Sequence, residues 1–205
     1  LLSKRSNIYG YSPILIDISP SRVIQIYMSS NGTSWDIVWG ASTHSLNLNQ
    51  WHELSIIRNG NLIKIYLDGI AHQTTITTTA ALVSNSDAFV IGCNVDTNYP
   101  LNAYISEFKI DIGVARYTDN FTPSTTPFKP DPYTKLLLHM DGVGNAFYNS
   151  SDPPGDNGFP ILPAGVTVTP TGTFTTQKMK DGRNIWVFNG STNYITISDH
   201  ASWSM

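Results

Sequence analysis

The chain has 205 residues, of which 40% are hydrophobic and 11% aromatic, enough for one domain or for a domain and part of another. Only 13% are charged, well below the roughly 25% of an average globular chain. Thr, Ser and Asn supply much of the remaining polar surface, a composition that suits an extracellular or virion β protein. The net charge of −3 and the lack of a basic run argue against a nucleic-acid partner.

Other features of the composition narrow the class further. A single cysteine, Cys93, leaves no intramolecular disulfide framework. No apolar run approaches the roughly 20 residues of a membrane span, so membrane insertion is not expected. The chain opens on Leu1-Leu2 rather than on Met, and we expect it to be an internal piece of a longer polypeptide.

Strands separated by turn residues are predicted throughout the first 118 residues, which indicates a β sandwich or jelly roll. They are expected at 13–19, 22–29, 34–39, 51–58, 62–69, 73–79, 88–92 and 102–110. The clearest signal is the hairpin at 51–69, in which Asn59-Gly60-Asn61 joins two β-branched, apolar runs. Residues 41–49 are predicted to form a polar loop.

The chain changes character at residues 119–132, which contain four prolines and little that could pack, and which read as an extended connector. A strand is predicted after it at 133–139, followed by a long loop at 143–164. The last strands are expected at 165–169, 184–188 and 193–197, and Asn189-Gly190 is predicted to join the final two as a hairpin.

Five stretches carry a resemblance to a known family. They are Trp-His…Leu-Asp-Gly (51–69), Tyr-Ile-Ser-Glu-Phe-Lys-Ile (104–110), Val-Ala-Arg-Tyr…Phe-Thr-Pro (114–123), Leu-Leu-Leu-His-Met-Asp-Gly (136–142) and Phe-Asn-Gly-Ser-Thr-Asn-Tyr-Ile (188–195). Together they resemble the laminin-G-like module of concanavalin A-like fold found in phage virion and bacterial surface proteins. The resemblance implies an all-β, two-sheet antiparallel jelly-roll sandwich.

The order of these stretches is unusual for that family, because the segment that ends a module comes first. Residues 1–128 therefore resemble the later strands of one module and residues 129–205 the first strands of a module, with the connector at 119–132 between them. Either a tandem array has been cut out of frame, or the two pieces complete one permuted sandwich. One family strand, expected after Met205 and before Leu1, is missing, and a neighbouring chain or module would have to supply it.

Glycosidases share this fold, and the retaining ones need two carboxyl groups roughly 5 Å apart. The chain has two Glu residues, Glu53 and Glu107, far apart and outside any Glu-x-Asp-x-x-Glu pattern. None of its five His forms a close metal-ligand pair. We therefore predict that the chain is not an enzyme.

Calcium is the one cofactor that the resemblance brings into question, since related modules often hold Ca²⁺ near their first and last strands. Asp141 matches a family acidic position, whereas Ser106 and Asn189 stand where many relatives have Asp. Two of the three candidate ligands are therefore neutral, which lowers the expected affinity. No cofactor is required by this prediction, and Asp141 is alternatively a turn residue.

A glycan site needs exposed aromatic rings with planar polar groups nearby. Tyr99, with Asn94, Asp96 and Asn98 in the same loop, is the best candidate in the sequence. We assign Trp35 and Trp39, four residues apart on one predicted strand, to the core. The other three tryptophans are also assigned to packing: Trp51, Trp186 and Trp203.

The sequence thus predicts a non-catalytic structural or adhesive module of a larger virion protein (phage tail or capsid-associated) or extracellular surface protein. Its expected partners are sibling modules or subunits of the same assembly. The alternative is a carbohydrate-binding module for a cell-surface glycan, with or without calcium. A glycoside hydrolase of the same fold is the remote alternative.

Overall fold

The structure is a computed structural model that describes residues 1–5, 10–72, 75–95, 99–142, 162–179 and 184–203, with the backbone alone for 41–44 and 202. The strands described are β1 (Leu2–Ser3), β2 (Ile14–Ile18), β3 (Val23–Met28), β4 (Val38–Ser45), β5 (Leu54–Asn59), β6 (Leu62–Leu67), β7 (Ile70–Ala71), β8 (Ile76–Thr77), β9 (Phe89–Ile91), β10 (Asn102–Ile105), β11 (Phe108–Asp111), β12 (Thr134–Leu138), β13 (Val168–Thr171), β14 (Thr175–Lys178), β15 (Asn184–Asn189) and β16 (Tyr194–Ile197). A 3-10 turn follows at Ala201–Trp203.

Every strand pair described is antiparallel, so the predicted all-β antiparallel sandwich is confirmed. The ladders form four sheets: a seven-stranded sheet in the order β13-β16-β9-β1-β2-β3-β4, a three-stranded sheet β10-β15-β14, a pair β11-β12, and a four-stranded sheet of β5, β6, β7 and β8. The described part of the chain contains no helix long and apolar enough to cross a membrane.

One hydrophobic cluster takes buried side chains from all four sheets. It arises because strands alternate inward and outward positions: in β3, Ile24, Ile26 and Met28 are buried while the residues between them are partly exposed. At its centre the Trp186 ring stacks on Phe174 with centroids 4.3 Å apart. Trp186 is fully buried and Trp203 nearly so, as predicted.

The hairpin at the Asn59-Gly60-Asn61 turn is confirmed, with Asn59 opposite Leu62 and Gly60 at a φ of 59°. The hairpin predicted at Asn189-Gly190 is wrong. β15 pairs with β10 and β14, whereas β16 pairs with β13 and β9. The turn therefore carries the chain from one sheet to another, as Greek-key connections do, and local turn chemistry alone does not distinguish the two outcomes.

Two further strand predictions need correction. The strand expected at 34–39 begins only at Val38, because Asp36 accepts hydrogen bonds from Ser29 and Ser30 that hold the preceding segment in a turn. This strand, β4, then continues to Ser45, through most of the segment predicted as a loop. The single strand expected at 102–110 divides into β10 and β11, and the two halves pair with different partners, β15 and β12.

Strands that follow residues 119–132 in the sequence pair directly with strands that precede them. β12 pairs with β11 (Lys109 opposite Leu137), β15 pairs with β10 (Tyr104 opposite Val187), and β16 pairs with β9. In each pair, one strand comes before residues 119–132 in the sequence and the other comes after them. The strand at 134–138 therefore has its partner within the same chain.

The segment between β11 and β12 is extended and makes defined contacts with the β6–β7 hairpin. The Tyr117 ring stacks on Phe121 with centroids 3.5 Å apart, and Phe121 also packs against the buried Tyr66. The Phe121 amide donates to the Gly69 carbonyl at 2.9 Å. A Cβ at Gly69 would lie 1.9 Å from the Phe121 carbonyl oxygen, so only glycine allows this approach.

A buried lysine ties the start of the described chain to its end. Lys4 follows β1 with its side chain 4% exposed. Its ammonium lies 2.8–2.9 Å from the Asn85 carbonyl and side-chain oxygens, the Asp87 carbonyl and the Asp199 carboxylate, and 5.5 Å from the centroid of the Phe89 ring. A buried charge is tolerated only when it is paired and hydrogen-bonded in this way.

Replacing Lys4 by Met tests this contact. The variant keeps the length of the side chain but leaves the Asp199 carboxylate and two buried carbonyl oxygens without their donor, so we expect the free energy of unfolding to fall by about 2–4 kcal/mol. Urea unfolding followed by tryptophan fluorescence measures it. Lys129→Met, at an exposed position, is the matched control and should change it by less than about 0.5 kcal/mol. Equal effects of the two substitutions would contradict the account.

Candidate functional site

Two aromatic side chains stand half-exposed next to each other on the surface. Trp51 is 51% and Tyr104 is 47% exposed. Their ring centroids are 6.5 Å apart and their planes are inclined by 44°. The sequence assigned Trp51 to packing, and that prediction is wrong. Large apolar rings that remain in water at adjacent positions are a common feature of binding surfaces.

Tyr104 is exposed because of its place in β10. Asn102 and Tyr104 point outward, while Ala103 and Ile105 are partly buried on the other side. Tyr104 lies opposite Val187 in the register, on the outer face of the three-stranded sheet. This alternation is visible in the sequence and could have identified Tyr104 as a surface residue.

Trp51 is positioned by the loop that leads into β5. The neighbouring His52 bonds through Nδ1 to the Asp68 carboxylate at 2.7 Å, and its Nε2 lies 3.2 Å from the Asn47 carbonyl oxygen. The other Asp68 oxygen accepts the Glu53 amide at 2.9 Å. Trp51 thus lies next to a residue fixed to the β6–β7 turn, which limits the motion of its backbone.

Planar polar side chains surround the aromatic pair in sequence and register. Asn102 lies two residues before Tyr104 on the same face of β10 and is exposed, and Asn49 and Gln50 immediately precede Trp51 and are exposed as well. Amide groups of this kind both donate and accept hydrogen bonds. The pair therefore combines apolar ring faces with amides at its border.

The loop predicted to bind glycan is only partly described. Tyr99 is 81% exposed, with a φ of 54°. The side-chain oxygen of Asn94 accepts hydrogen bonds from Arg5 at 3.0 Å and from the Val95 amide at 2.8 Å, so this amide helps to hold a buried arginine. Asp96 and Asn98 lie outside the described residues. The site predicted on these four residues stays a prediction.

The core assignment of Trp35 and Trp39 is wrong for Trp39, which is 82% exposed. The two residues do not share a strand, because β4 begins at Val38. Trp35 is partly buried against Tyr11 and Tyr27, at centroid distances of 5.3 and 5.6 Å.

The three residues predicted to ligate calcium do not come together as one set. Asn189 lies opposite Asn102 in the β10–β15 register, whereas Ser106 extends β10 beyond Ile105, roughly 13 Å away along the strand. The Asn189 side-chain oxygen accepts three amides of its own turn. Asp141 is buried and lies three residues after the end of β12. Among the described residues no three His, Cys, Asp or Glu side chains form a group that could hold a metal ion.

Comparison with known proteins places the chain in a family. The family model described as the concanavalin A-like lectin/glucanases superfamily, of laminin G type, matches residues 3–111, more than half of the chain. The chain belongs to the concanavalin A-like lectin/glucanase superfamily. No curated protein and no solved structure matches it. The match ends at the last residue of β11, just before the extended segment.

Because this superfamily includes glucanases, the positions of the two glutamates matter. Glu107 bonds through Oε2 to His139 Nδ1 at 2.8 Å, and both side chains are largely buried. Glu53 accepts a hydrogen bond from the Ser55 hydroxyl at 3.1 Å. These contacts join each glutamate to a histidine or a hydroxyl rather than to a second carboxylate.

Two carboxylates, those of Asp111 and Asp131, contact Arg116 in the Val-Ala-Arg-Tyr stretch. Its guanidinium donates to Asp111 at 2.8 Å and to Asp131 at 2.7 Å. Burial alone would raise the pKa of Asp111, but hydrogen bonds from Arg116 and Thr134 and the charge of Lys109 hold it below its usual value. Hydrogen bonding to Arg116 likewise lowers the pKa of Asp131 well below its ordinary range.

Asp111 and Asp131, with their lowered pKa values, therefore both stay ionised. A glycosidase, in contrast, requires that one carboxyl group of its pair be protonated, with a raised pKa. The geometry of Asp111 and Asp131 around Arg116 is that of a structural ion pair. Asp131 accepts the Tyr133 amide at 2.9 Å and lies three residues before β12, so Arg116 anchors the extended segment close to the point where β12 begins.

The depressed pKa values of Asp111 and Asp131 predict acid sensitivity. As pH falls through about 4, the unfolded chain takes up protons before the folded chain does, so the free energy of unfolding decreases from there downward. Asp131→Asn should lower the melting temperature at pH 7 and make its decline between pH 5 and 2 shallower than in the wild type. Thermal unfolding across this range measures both.

Asp119→Asn is the control for that experiment, because Asp119 is exposed and accepts a hydrogen bond from the hydroxyl of its neighbour Thr118. Its pH profile should run parallel to that of the wild type. An Asp131→Asn profile that is also parallel to the wild type would show that the Arg116 contact does not cause the acid sensitivity.

Proposed function

We propose that this chain is a non-catalytic recognition module that binds glycan through Trp51 and Tyr104 and serves adhesion in a larger extracellular or virion protein. The observation that carries the proposal is the pair of half-exposed rings, 6.5 Å apart. A glycan-binding module needs exposed aromatic rings with planar polar groups nearby, and this pair meets that need.

The chemistry of the pair fits a pyranose ring. Sugars present one apolar face of C–H groups, which packs on an aromatic ring, and a rim of hydroxyls, which bond to planar amides. Two rings inclined by 44° could contact two successive sugar residues or two faces of one residue. The amides of Asn102, Asn49 and Gln50 provide donors and acceptors for the hydroxyls.

The absence of catalysis is part of the proposal. Glu107 is engaged with His139, and Asp111 and Asp131 are engaged with Arg116. Glu53, two residues after Trp51, accepts a hydrogen bond from the Ser55 hydroxyl, and Asp68 contacts His52 and the Glu53 amide. We therefore propose that a sugar bound at the aromatic pair is held by ring stacking and amide groups and is not hydrolysed.

We also propose that residues 1–128 and 129–205 complete one permuted sandwich. The pairs β11–β12, β10–β15 and β9–β16 support this, because each joins the two segments within one chain. Calcium would assist binding through Asp141 and Ser106, which lie at the same end of the β11–β12 pair since Phe108 is opposite Leu138.

Trp51→Ala and Tyr104→Ala test the site. Binding should first be found on a broad glycan array, with and without calcium, and then measured by calorimetry for the best ligand. Each substitution removes one stacking surface, so we expect each to weaken binding at least tenfold, about 1.4 kcal/mol. Because both side chains are half-exposed, the melting temperature should change little.

Tyr99→Ala is the matched control, since Tyr99 is an exposed aromatic residue in the other candidate loop. Its affinity should equal that of the wild type. Loss of binding with Tyr99→Ala but not with Trp51→Ala would move the site to the Tyr99 loop. Failure of the wild type to bind any glycan under either condition would refute glycan recognition itself.

Asp68→Asn tests the positioning of Trp51. Asparagine tolerates the positive φ of Asp68, 54°, but its amide cannot accept from both His52 and the Glu53 amide as a carboxylate does. We expect Asp68→Asn to lower glycan affinity several-fold. In the Trp51→Ala background the same substitution should lower it less, because Asp68 acts on binding through the position of Trp51. Strictly additive losses in the double variant would contradict this role.

A further inference from the structure

The longest edge strand described is β4, at one end of the seven-stranded sheet. Its eight residues pair with β3 on one side, and the described part of the chain offers no strand on the other side. A strand of this length exposes roughly 26 Å of backbone donors and acceptors. Such an edge is a template for another strand unless it is protected.

β4 lacks the charged residues and prolines that commonly protect an edge. Val38–Ser45 contains no proline, Asp, Glu, Lys or Arg. At the opposite edge of the same sheet β13 contains Pro170, and β14, at the edge of the three-stranded sheet, contains Lys178. Charged residues and prolines are the features by which proteins prevent edge pairing, and among the longer edges only the four-residue β10 also lacks them.

A bulge in β4 turns a tryptophan out beside this edge. The register of β3 and β4 shifts between Ile26 and Met28, and Gly40 there has a φ of 65°. Trp39 lies at this bulge and is 82% exposed, the largest exposed fraction among the bulky apolar residues described. Bulges commonly re-aim a side chain, and a tryptophan is a typical centre of a protein interface.

We infer that β4 is a self-association surface, on which the β4 strand of a second copy of this chain pairs antiparallel about a twofold axis. An antiparallel edge is complementary to itself under such an axis, and an uncharged strand brings no like charges together there. Each Trp39 would pack on the partner and remove on the order of 200 Å² from water.

The other edges of the sheets favour a closed dimer over a fibre. A head-to-tail array would require β4 to pair with a different edge. Pro170 and Lys178 disfavour β13 and β14 as that partner, and β10, with four residues, offers half the length of β4. The β4 edge lies on the seven-stranded sheet, and Tyr104 lies on the three-stranded sheet. The inference therefore does not depend on glycan binding and would place two copies of the Trp51–Tyr104 pair in one particle.

Sedimentation velocity of the full chain from low to high micromolar concentration tests this inference. We expect a monomer–dimer equilibrium for the wild type. Trp39→Lys, which removes the ring and adds a charge at the edge, should weaken it at least about tenfold. Tyr99→Lys is the matched control, since Tyr99 is 81% exposed and lies outside β4, and it should dimerise as the wild type does.

Hydrogen exchange of the wild type supplies a readout that needs no substitution. Amides of residues 38–45 should exchange more slowly at dimer than at monomer concentrations, while those of β13 should not change. A chain that is monomeric throughout, a dimer that survives Trp39→Lys, or a dimer without added protection in β4 would each overturn the inference.

Discussion

The structure depends on pairing between strands that are far apart in the sequence. β9, β10 and β11, which precede the extended segment at 119–132, take β16, β15 and β12, which follow it, as partners. Without these partners, β10 and β11 would lose the only pairings described for them and β9 would keep only β1. The core would also lose Trp186, Phe188, Leu136 and Ile195, all fully buried. Burial of apolar side chains contributes roughly 1.5–3 kcal/mol each, so neither segment would keep a complete core alone.

The contacts around this pairing explain the roles of several residues in the extended segment. Arg116 holds Asp111 at the end of β11 and Asp131 three residues before β12. Phe121 binds the Gly69 carbonyl and covers Tyr66. The Pro-rich segment between them is therefore fixed at several points, which directs the chain back to the sheet that it completes.

Some aromatic side chains of this protein are exposed at the surface instead of buried in the core. Trp186, Phe174 and Phe188 form the centre of the core, whereas Trp51, Tyr104 and Trp39 remain in water. Burying an aromatic side chain is favourable, so exposure at defined positions needs a cause. Here the causes are local: strand alternation for Tyr104, a clamped loop for Trp51 and a bulge for Trp39.

Much of the fold could be predicted from the sequence, because alternation and turn residues are local signals. The β5–β6 hairpin and strands such as β3, β12 and β16 illustrate this. The outcome at Asn189-Gly190 could not be predicted, because the same turn can close a hairpin or cross between sheets. The exposure of Trp51 and Trp39 was missed because residue type was taken as a guide to burial, whereas a bulge and a loop decided it. The three calcium ligands Asp141, Ser106 and Asn189 were predicted from the resemblance to a family. The strand register, which places Asn189 opposite Asn102, keeps Asn189 apart from Ser106.

The most direct test of the account is nuclear Overhauser spectroscopy on a sample that mixes ¹⁵N-labelled and ¹³C-labelled chains. The contact to follow joins the backbones of Lys109 and Leu137, which face each other across β11 and β12. If the two segments complete one sandwich, this contact appears in the uniformly labelled chain and is absent from spectra selective for contacts between chains. Its appearance in the interchain spectra would show that β12 belongs to a neighbouring molecule's sandwich and would contradict the account.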